Sequence, residues 1–294
     1  MAGERVSDVR LGAASEWLVQ ESGSGDPIVL VHGLGTDSSA WNRVVPLLAE
    51  RFRVITVDLP GYSLKSVDPQ VPHADELAVG LNAVLARVDV SSAVIVGHSF
   101  GGAVSMLMAH HFPTRCDGLV LIAPGGFGVE LNPVVPFMGT RAGARLLRAL
   151  YSPRAARTIE RIAARVESRS ADSRVRISEL METYGRLRTE QARTLFRASV
   201  RESLALNAAI DKTQIVINSR IPVLVLWGRE DRVLPVWQAK NVSSMLPWST
   251  VRVLDRVGHT PHRSDPRTVA REIVNFADSG AITRRRAAAP ADSG

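Results

Sequence analysis

Short, nearly unbroken apolar runs, most of them β-branched, punctuate the first third of the chain: IVLV at 28–31, VITV at 54–57, AVIV at 93–96 and LVLI at 119–122. Between them, at 41–48, 76–88 and 103–111, apolar residues return at the three-to-four spacing of a helix. Strands alternating with helices predict βαβ units and a parallel sheet. The strands are apolar almost throughout rather than at every second position, so helices are expected on both faces of that sheet.

From about 125 to 209 the strand signal stops, and Ala-, Leu- and Arg-rich stretches such as TRAGARLLRALYS and PRAARTIERIAARVES carry a helical period instead. Strands return with VLVLW at 223–227 and TVRVL at 250–254, and 267–276 reads as a last helix. A helical insertion that leaves a sheet and rejoins it between successive strands predicts a cap over one sheet end. The organisation expected is an N-terminal segment 1–14, an α/β core of 15–124 and 211–278, a helical cap or lid at 125–210, and a tail at 279–294. The tail, SGAITRRRAAAPADSG, has no apolar period and is expected to be disordered. One large α/β domain accommodates a chain of 294 residues.

Composition changes this picture little. With 45% hydrophobic and 22% charged residues the chain is ordinarily globular, neither fibrous nor wholly disordered. Its start has acidic residues and no apolar stretch of signal-peptide length, and no uncharged run reaches transmembrane length, so a cytoplasmic protein is expected. The lone Cys116 has no partner for an internal disulfide and, beside an apolar strand, reads as a packed thiol. The net charge of +7 is unevenly placed. Residues 126–210 hold 15 Arg, no Lys and 8 acidic residues, which leaves the rest of the chain neutral. Many of these arginines recur at helical spacing, as in Arg141, Arg145 and Arg148 or Arg157, Arg161 and Arg165, with no aromatic interleaving. No nucleic-acid partner is expected. The segment reads either as solvated helix faces or as a peripheral contact with an anionic membrane surface.

Candidate chemistry begins at VGHSFGG, residues 96–102. Gly-x-Ser-x-Gly alone arises by chance in about one chain in ten of this length. Here it follows a strand and opens a helix, the setting of a tight turn that exposes a nucleophile. Ser99 would hold a strained backbone conformation there, with Gly97 and Gly101 letting neighbouring chain approach closely. At the helix N-terminus, the positive end of the dipole favours the anion that forms during acyl transfer.

A serine hydroxyl needs a base. Of seven histidines, His73 lies in a polar stretch, His110 and His111 end a helix, and His98 inside the turn would face away from Ser99 and pack. His259, in DRVGHTPHRSDP after the strand at 250–254, sits at a strand's C-terminal edge, where open α/β sheets place their sites. His262 is the fallback base. The base in turn needs a carboxylate to hold its tautomer, and VLVLWGREDRVLP offers Asp231, with Glu230 beside it as the better candidate for a solvated loop acid. The candidate triad is Ser99, Asp231 and His259, in that chain order.

These segments resemble an α/β-hydrolase-fold serine hydrolase, of the esterase, lipase and C–C hydrolase branch that carries a helical cap. The resemblance covers 15–124 and 211–278, while 125–210 matches only in position and helical character. VLVHGLGTDSSAW resembles the family's oxyanion loop, which implies the backbone N–H groups of Leu34 and Phe100 as an oxyanion hole, with Gly33 and Gly35 permitting the turn. DLPGYSLKS departs from the usual Asp-x-x-Gly-x-Gly-x-Ser: Ser63 stands for the second Gly and Lys65 for the Ser. Relatives that open epoxides or cleave carbon–halogen bonds need an Asp nucleophile, so Ser99 points to acyl transfer. The resemblance implies hydrolysis of a carboxylic ester, small-molecule or lipid, without cofactor or metal. One alternative is C–C bond hydrolysis of vinylogous diketones by the same triad. Thioester, lactone and peracid chemistry also stay open, and another alternative is a binding or receptor-like homologue that turns over slowly or not at all. Thr260 follows His259 where many C–C hydrolases carry Trp, which weighs against the first alternative. Of the apolar cap residues such as Val134, Val135, Phe137, Met138, Leu146, Leu147 and Phe196, some are expected to face the pocket and most to pack between helices.

Overall fold

A computed structural model describes residues 5–10, 16–63, 71–128, 132–152, 189–209 and 221–288, with single positions between 155 and 187. Among these, β1 (Arg5–Arg10), β2 (Glu16–Ser22), β3 (Pro27–Val31), β4 (Arg53–Asp58), β5 (Ala93–His98), β6 (Cys116–Ile122), β7 (Val223–Gly228) and β8 (Thr250–Leu254) form one sheet. Its order is β1-β2-β4-β3-β5-β6-β7-β8. β2 runs antiparallel to both β1 and β4, and the remaining neighbours are parallel. The helices are α1 (Val45–Leu48), α2 (Ala74–Arg87), α3 (Phe100–His111), α4 (Val134–Met138), α5 (Arg141–Leu150), α6 (Glu190–Ala209), α7 (Gln238–Met245), α8 (Pro261–Ser264), α9 (Pro266–Ala277) and α10 (Gly280–Ala288).

Alternate strand residues feed two cores. Val29, Val31, Ile55, Ile95 and Leu119 pack on one face with Leu77 and Leu81 of α2 and Val104 and Met108 of α3. Ile28, Leu30, Val94 and Val120 pack on the other with Trp41, Leu48 of α1 and Val269 and Ile273 of α9. Each fully buried aliphatic side chain contributes about 1.5–3 kcal/mol relative to exposure, so a strand covered on both faces gains from apolar residues at every position.

Three elements differ from the sequence reading. The helix expected over 41–48 is split into a 3-10 turn, Ser38–Trp41, capped by the Asp37 side chain, and the four-residue α1 with Pro46 in its first turn. The segment expected to precede the core contains β1, which pairs with β2 at the sheet edge. Its sequence RVSDVR is half charged, a composition that suits an edge strand because it discourages further pairing, and that hides the strand from an apolar pattern. The tail expected to be disordered from 279 is helical over Gly280–Ala288. Ile282 is fully buried, Arg285 donates to the carbonyls of Cys116 and Pro113, and Arg286 pairs with Asp117 and Asp26. A helix held by guanidinium hydrogen bonds needs no apolar period. Lys65, Arg157 and Arg165, and the final residues 289–294, lie outside the described residues.

Cys116 is buried as expected, and burial above all pushes its thiol up to about 12. No helix among the described residues is long and apolar enough to cross a membrane.

Candidate active site

The sheet builds outward in opposite directions from β3, which has β4 on one side and β5 on the other. Loops leaving the C-terminal ends of β3 and β5 diverge there and open a crevice. Ser99 closes β5 on that crevice. Its φ of 52° and ψ of −117° lie outside the comfortable regions for a residue with a side chain, a strain of about 1–3 kcal/mol. Hydrogen bonds hold the turn in place: the Ser99 amide donates to the Ile122 carbonyl at 3.0 Å, and its own carbonyl accepts from the amides of Gly102 and Gly125. The turn is also crowded. A Cβ added at Gly97 would stand 2.5 Å from the Gly101 carbonyl oxygen, and one at Gly101 would overlap the carbonyl oxygen of His32.

His259 reaches this turn from the loop after β8, with Nε2 3.1 Å from Ser99 Oγ. Its Nδ1 lies 2.8 Å from Oδ2 of Asp231, on the loop after the neighbouring strand β7. The second carboxylate oxygen accepts from the amides of Val233 and Leu234 at 2.8 and 2.9 Å, which fixes the plane of the buried Asp231 side chain. With the Nδ1 proton donated to Asp231, Nε2 is left to accept from the serine hydroxyl. Glu230 is exposed, in keeping with a solvated acid.

The loop after β3 is set by His32. The Leu59 amide donates to His32 Nε2 at 2.9 Å, so the ring proton sits on Nδ1 and is donated to the Gly33 carbonyl at 2.8 Å. Gly33 then lies against the serine turn, where an added Cβ would stand 3.1 Å from Ser99 Cβ and 2.7 Å from His98 Nδ1. Leu34 and Gly35, the latter with φ of +69°, complete the loop. Phe100 is the first residue of α3, so its amide belongs to the turn whose donors have no helical acceptor. The side chain of Phe100 stacks on buried Tyr62 with ring centroids 4.2 Å apart. In the departing loop, Gly61 takes the left-handed conformation with φ of +73°. Ser63, whose amide donates to the Leu59 carbonyl inside that turn, is buried there without a left-handed backbone, so position 63 does not require glycine.

Spacing along the chain did not reveal what stands behind His259. His98 Nε2–H donates to the backbone carbonyl of His259 at 2.9 Å. The His98 ring lies 4.9 Å from that of His259 and 4.4 Å from that of His262, which in turn stands 4.5 Å from Trp41. His262, the fallback base, is thus packed into a buried aromatic column behind His259. Burial first, and the neighbouring histidines second, hold His98 well below its ordinary value. Burial and then Arg263 pull His262 down to about 3. Both rings are neutral at pH 7.

The cap meets the site through α6. Phe196 covers Gly35, where an added Cβ would stand 3.0 Å from its ring. Ser199 Oγ donates to the Gly61 carbonyl at 2.9 Å, and Glu202 contacts His73 Nδ1 at 2.9 Å. Val134, Phe137 and Leu146, counted from the sequence as pocket or packing residues, are exposed instead. On α5 the buried side is supplied by Gly143 and Leu147, which leaves Leu146 exposed, and α4 has no buried residue.

The sequence model of the alpha/beta hydrolase family matches residues 28–272. The chain belongs to this family. An uncharacterized protein of Mycobacterium tuberculosis is 31% identical to this hydrolase over 267 residues, which span 88% of the chain and 77% of that protein. A 2-hydroxy-6-oxononadienedioate/2-hydroxy-6-oxononatrienedioate hydrolase of Cupriavidus pinatubonensis is 29% identical over 269 residues, 87% of the chain and 88% of that protein. The crystal structure of an esterase from a Rhodococcus species superposes with a TM-score of 0.71 at 25% identity, covering 94% of this hydrolase and 98% of the esterase. Both ester and C–C hydrolases are therefore among the proteins this alpha/beta hydrolase resembles.

Proposed function

We propose that this alpha/beta hydrolase cleaves carboxylic esters through an acyl-enzyme formed on Ser99. The reading rests chiefly on one observation: His259 Nε2 stands 3.1 Å from Ser99 Oγ while its Nδ1 is held by Asp231 at 2.8 Å. His259 takes the hydroxyl proton as Ser99 Oγ adds to the ester carbonyl, and Asp231 stabilises the imidazolium. The backbone N–H groups of Leu34 and Phe100 receive the oxyanion, a contribution of about 10²–10³ in rate for each donor. As the tetrahedral species collapses, the carbon–oxygen bond to the leaving group breaks and His259 returns its proton to the departing alcohol. Water then adds to the acyl-enzyme, giving a proton to His259, and collapse releases the acid and restores Ser99.

The test is labelling by a fluorophosphonate, together with rates on p-nitrophenyl esters of increasing chain length and on a 2-hydroxy-6-oxo-dienoate, with Ser99→Ala as the blank. Labelling and ester turnover are expected in the wild type and in Ser63→Ala and absent in Ser99→Ala. Turnover of the dienoate alone would replace ester cleavage with C–C hydrolysis, on a substrate of the class named for the Cupriavidus relative. Folded wild type that neither labels nor turns over any substrate would favour a binding protein.

A further inference from the structure

Four of the eight large apolar side chains exposed among the described residues fall between positions 134 and 150: Val134 at 59%, Phe137 at 40%, Leu146 at 43% and Leu150 at 40%. They stand on α4 and α5, which pack so closely that a Cβ added at Gly143 would overlap the Phe137 carbonyl oxygen. α5 is a regular helix started by Thr140, whose hydroxyl accepts from the Gly143 amide at 3.0 Å. At 100° per residue, Leu146 and Leu150 continue the apolar side begun by buried Gly143 and Leu147 and carry it out into solvent. Arg141, Arg145 and Arg148 share the opposite side and are exposed. A merely solvated helix would bury its leucines and expose its charges; α5 buries Leu147 but exposes Leu146 and Leu150 together with its arginines.

Charge narrows the occupant of this surface. The cap segment 126–210 holds 15 Arg against 8 acidic residues, while the rest of the chain has 21 basic and 21 acidic residues. The whole net charge of the protein is therefore on the segment that carries the exposed apolar side chains. A helix with an apolar stripe on one side and arginines on the other is the arrangement that lies in a bilayer interface, with the stripe at the acyl boundary and the long arginine side chains reaching headgroup phosphates. We propose that α4 and α5 dock on an anionic lipid bilayer, Phe137, Leu146 and Leu150 entering the headgroup boundary and Arg141 and Arg145 meeting lipid phosphates. Arg148 contributes less, since Glu190 already pairs with it at 2.9 Å.

Co-sedimentation with vesicles of phosphatidylglycerol and phosphatidylcholine, against vesicles of phosphatidylcholine alone, tests the surface at low and high salt. The wild type is expected to partition at least about ten-fold more strongly onto the anionic vesicles, and salt should weaken this. Leu146→Gln/Leu150→Gln and Arg141→Gln/Arg145→Gln should each lower that partition on the order of ten-fold, with the thermal midpoint and p-nitrophenyl acetate hydrolysis unchanged. Ser99→Ala should bind vesicles as the wild type does, which separates this surface from the proposed chemistry. Equal binding to both vesicle types, no binding to either, or wild-type binding by either double variant would overturn the proposal. So would a concentration-dependent dimer that the leucine variant abolishes, since the face would then pair with a second copy of the chain.

Discussion

Around Ser99 the backbone is crowded and bonded from several sides, whereas the cap beyond Gly125, among its described residues, meets the core chiefly through side chains, with the Asn132 amide on the Val233 carbonyl as a backbone link. His32, Gly33, Gly97, Gly101 and Ile122 each contact the serine turn or its neighbours through backbone atoms or positions where a Cβ would collide. The cap reaches the same region through Phe196, Ser199, Glu202 and Asn132, which donates to the Arg232 carbonyl. Geometry held by backbone is hard to vary without unfolding. Contacts made by side chains can be exchanged one at a time, so the two regions should divide the labour: reaction type at the sheet edge, substrate choice and surface behaviour in the cap.

The sharpest test of that division is Asp231→Asn. It keeps the shape of the side chain and can keep the amides of Val233 and Leu234 on Oδ1, but it removes the anion that holds His259. A fall in kcat/KM on the order of 10⁴-fold is expected, with little change in the urea midpoint. Combining it with Ser99→Ala should cost little beyond Ser99→Ala alone, because the residues act as a unit. A cap variant that produced a loss of this size would break the division.

A subtler test on the same side is His98→Ala. It deletes the donor to the His259 carbonyl and opens the aromatic column, so kcat should fall about 10- to 100-fold while KM stays near wild type. His98→Gln, whose amide can reach that carbonyl, should recover most of the loss. If both variants unfold to the same degree and gain nothing from glutamine, His98 serves packing alone.

The amino-acid pattern marks strand ends more clearly than it marks tertiary pairings. Ser99, Asp231 and His259 could be named together because each follows an apolar run that marks the end of a strand, and a parallel sheet brings those ends to one edge. His98 could be placed in the turn but not paired with the His259 carbonyl, since 161 positions separate them and no periodicity links them. β1 and α10 escaped because neither depends on an apolar stripe: one is an edge strand, the other is tied by Arg285 and Arg286. In the cap, period distinguishes the apolar side of a helix but not its cover. Phe196 and Leu146 look alike in sequence, yet one covers the loop of Gly35 and the other faces water.

Phe196→Ala separates the regions from the cap side. Removing the ring from above Gly35 should leave fluorophosphonate labelling within a few-fold of wild type, because the serine turn does not depend on it. The preference among p-nitrophenyl esters of different chain length should shift by about 10-fold, the scale set by one or two methylenes' worth of apolar contact. A loss of labelling as large as that of Asp231→Asn would mean that the cap shapes the oxyanion loop itself.

The smallest effect is a slope. In the unfolded chain a histidine takes up a proton near pH 6.5, whereas folded His262 stays neutral until about pH 3 because its ring is buried against Trp41 and His98. Between those values the unfolded state binds the extra proton, so stability is fully present above pH 6.5 and falls as the pH drops, by about 1.4 kcal/mol per pH unit for each such histidine. His98, also held low by burial, adds in the same direction. His262→Gln removes one titrating group and should flatten urea unfolding free energies between pH 6 and pH 4 by about one proton, even if stability at pH 7 drops with the lost packing. Leu150→Gln in the cap should leave the slope as it is. An unchanged slope in His262→Gln would mean that the column opens to water well above pH 3, and that the ground behind the proposed base is looser than its packing implies.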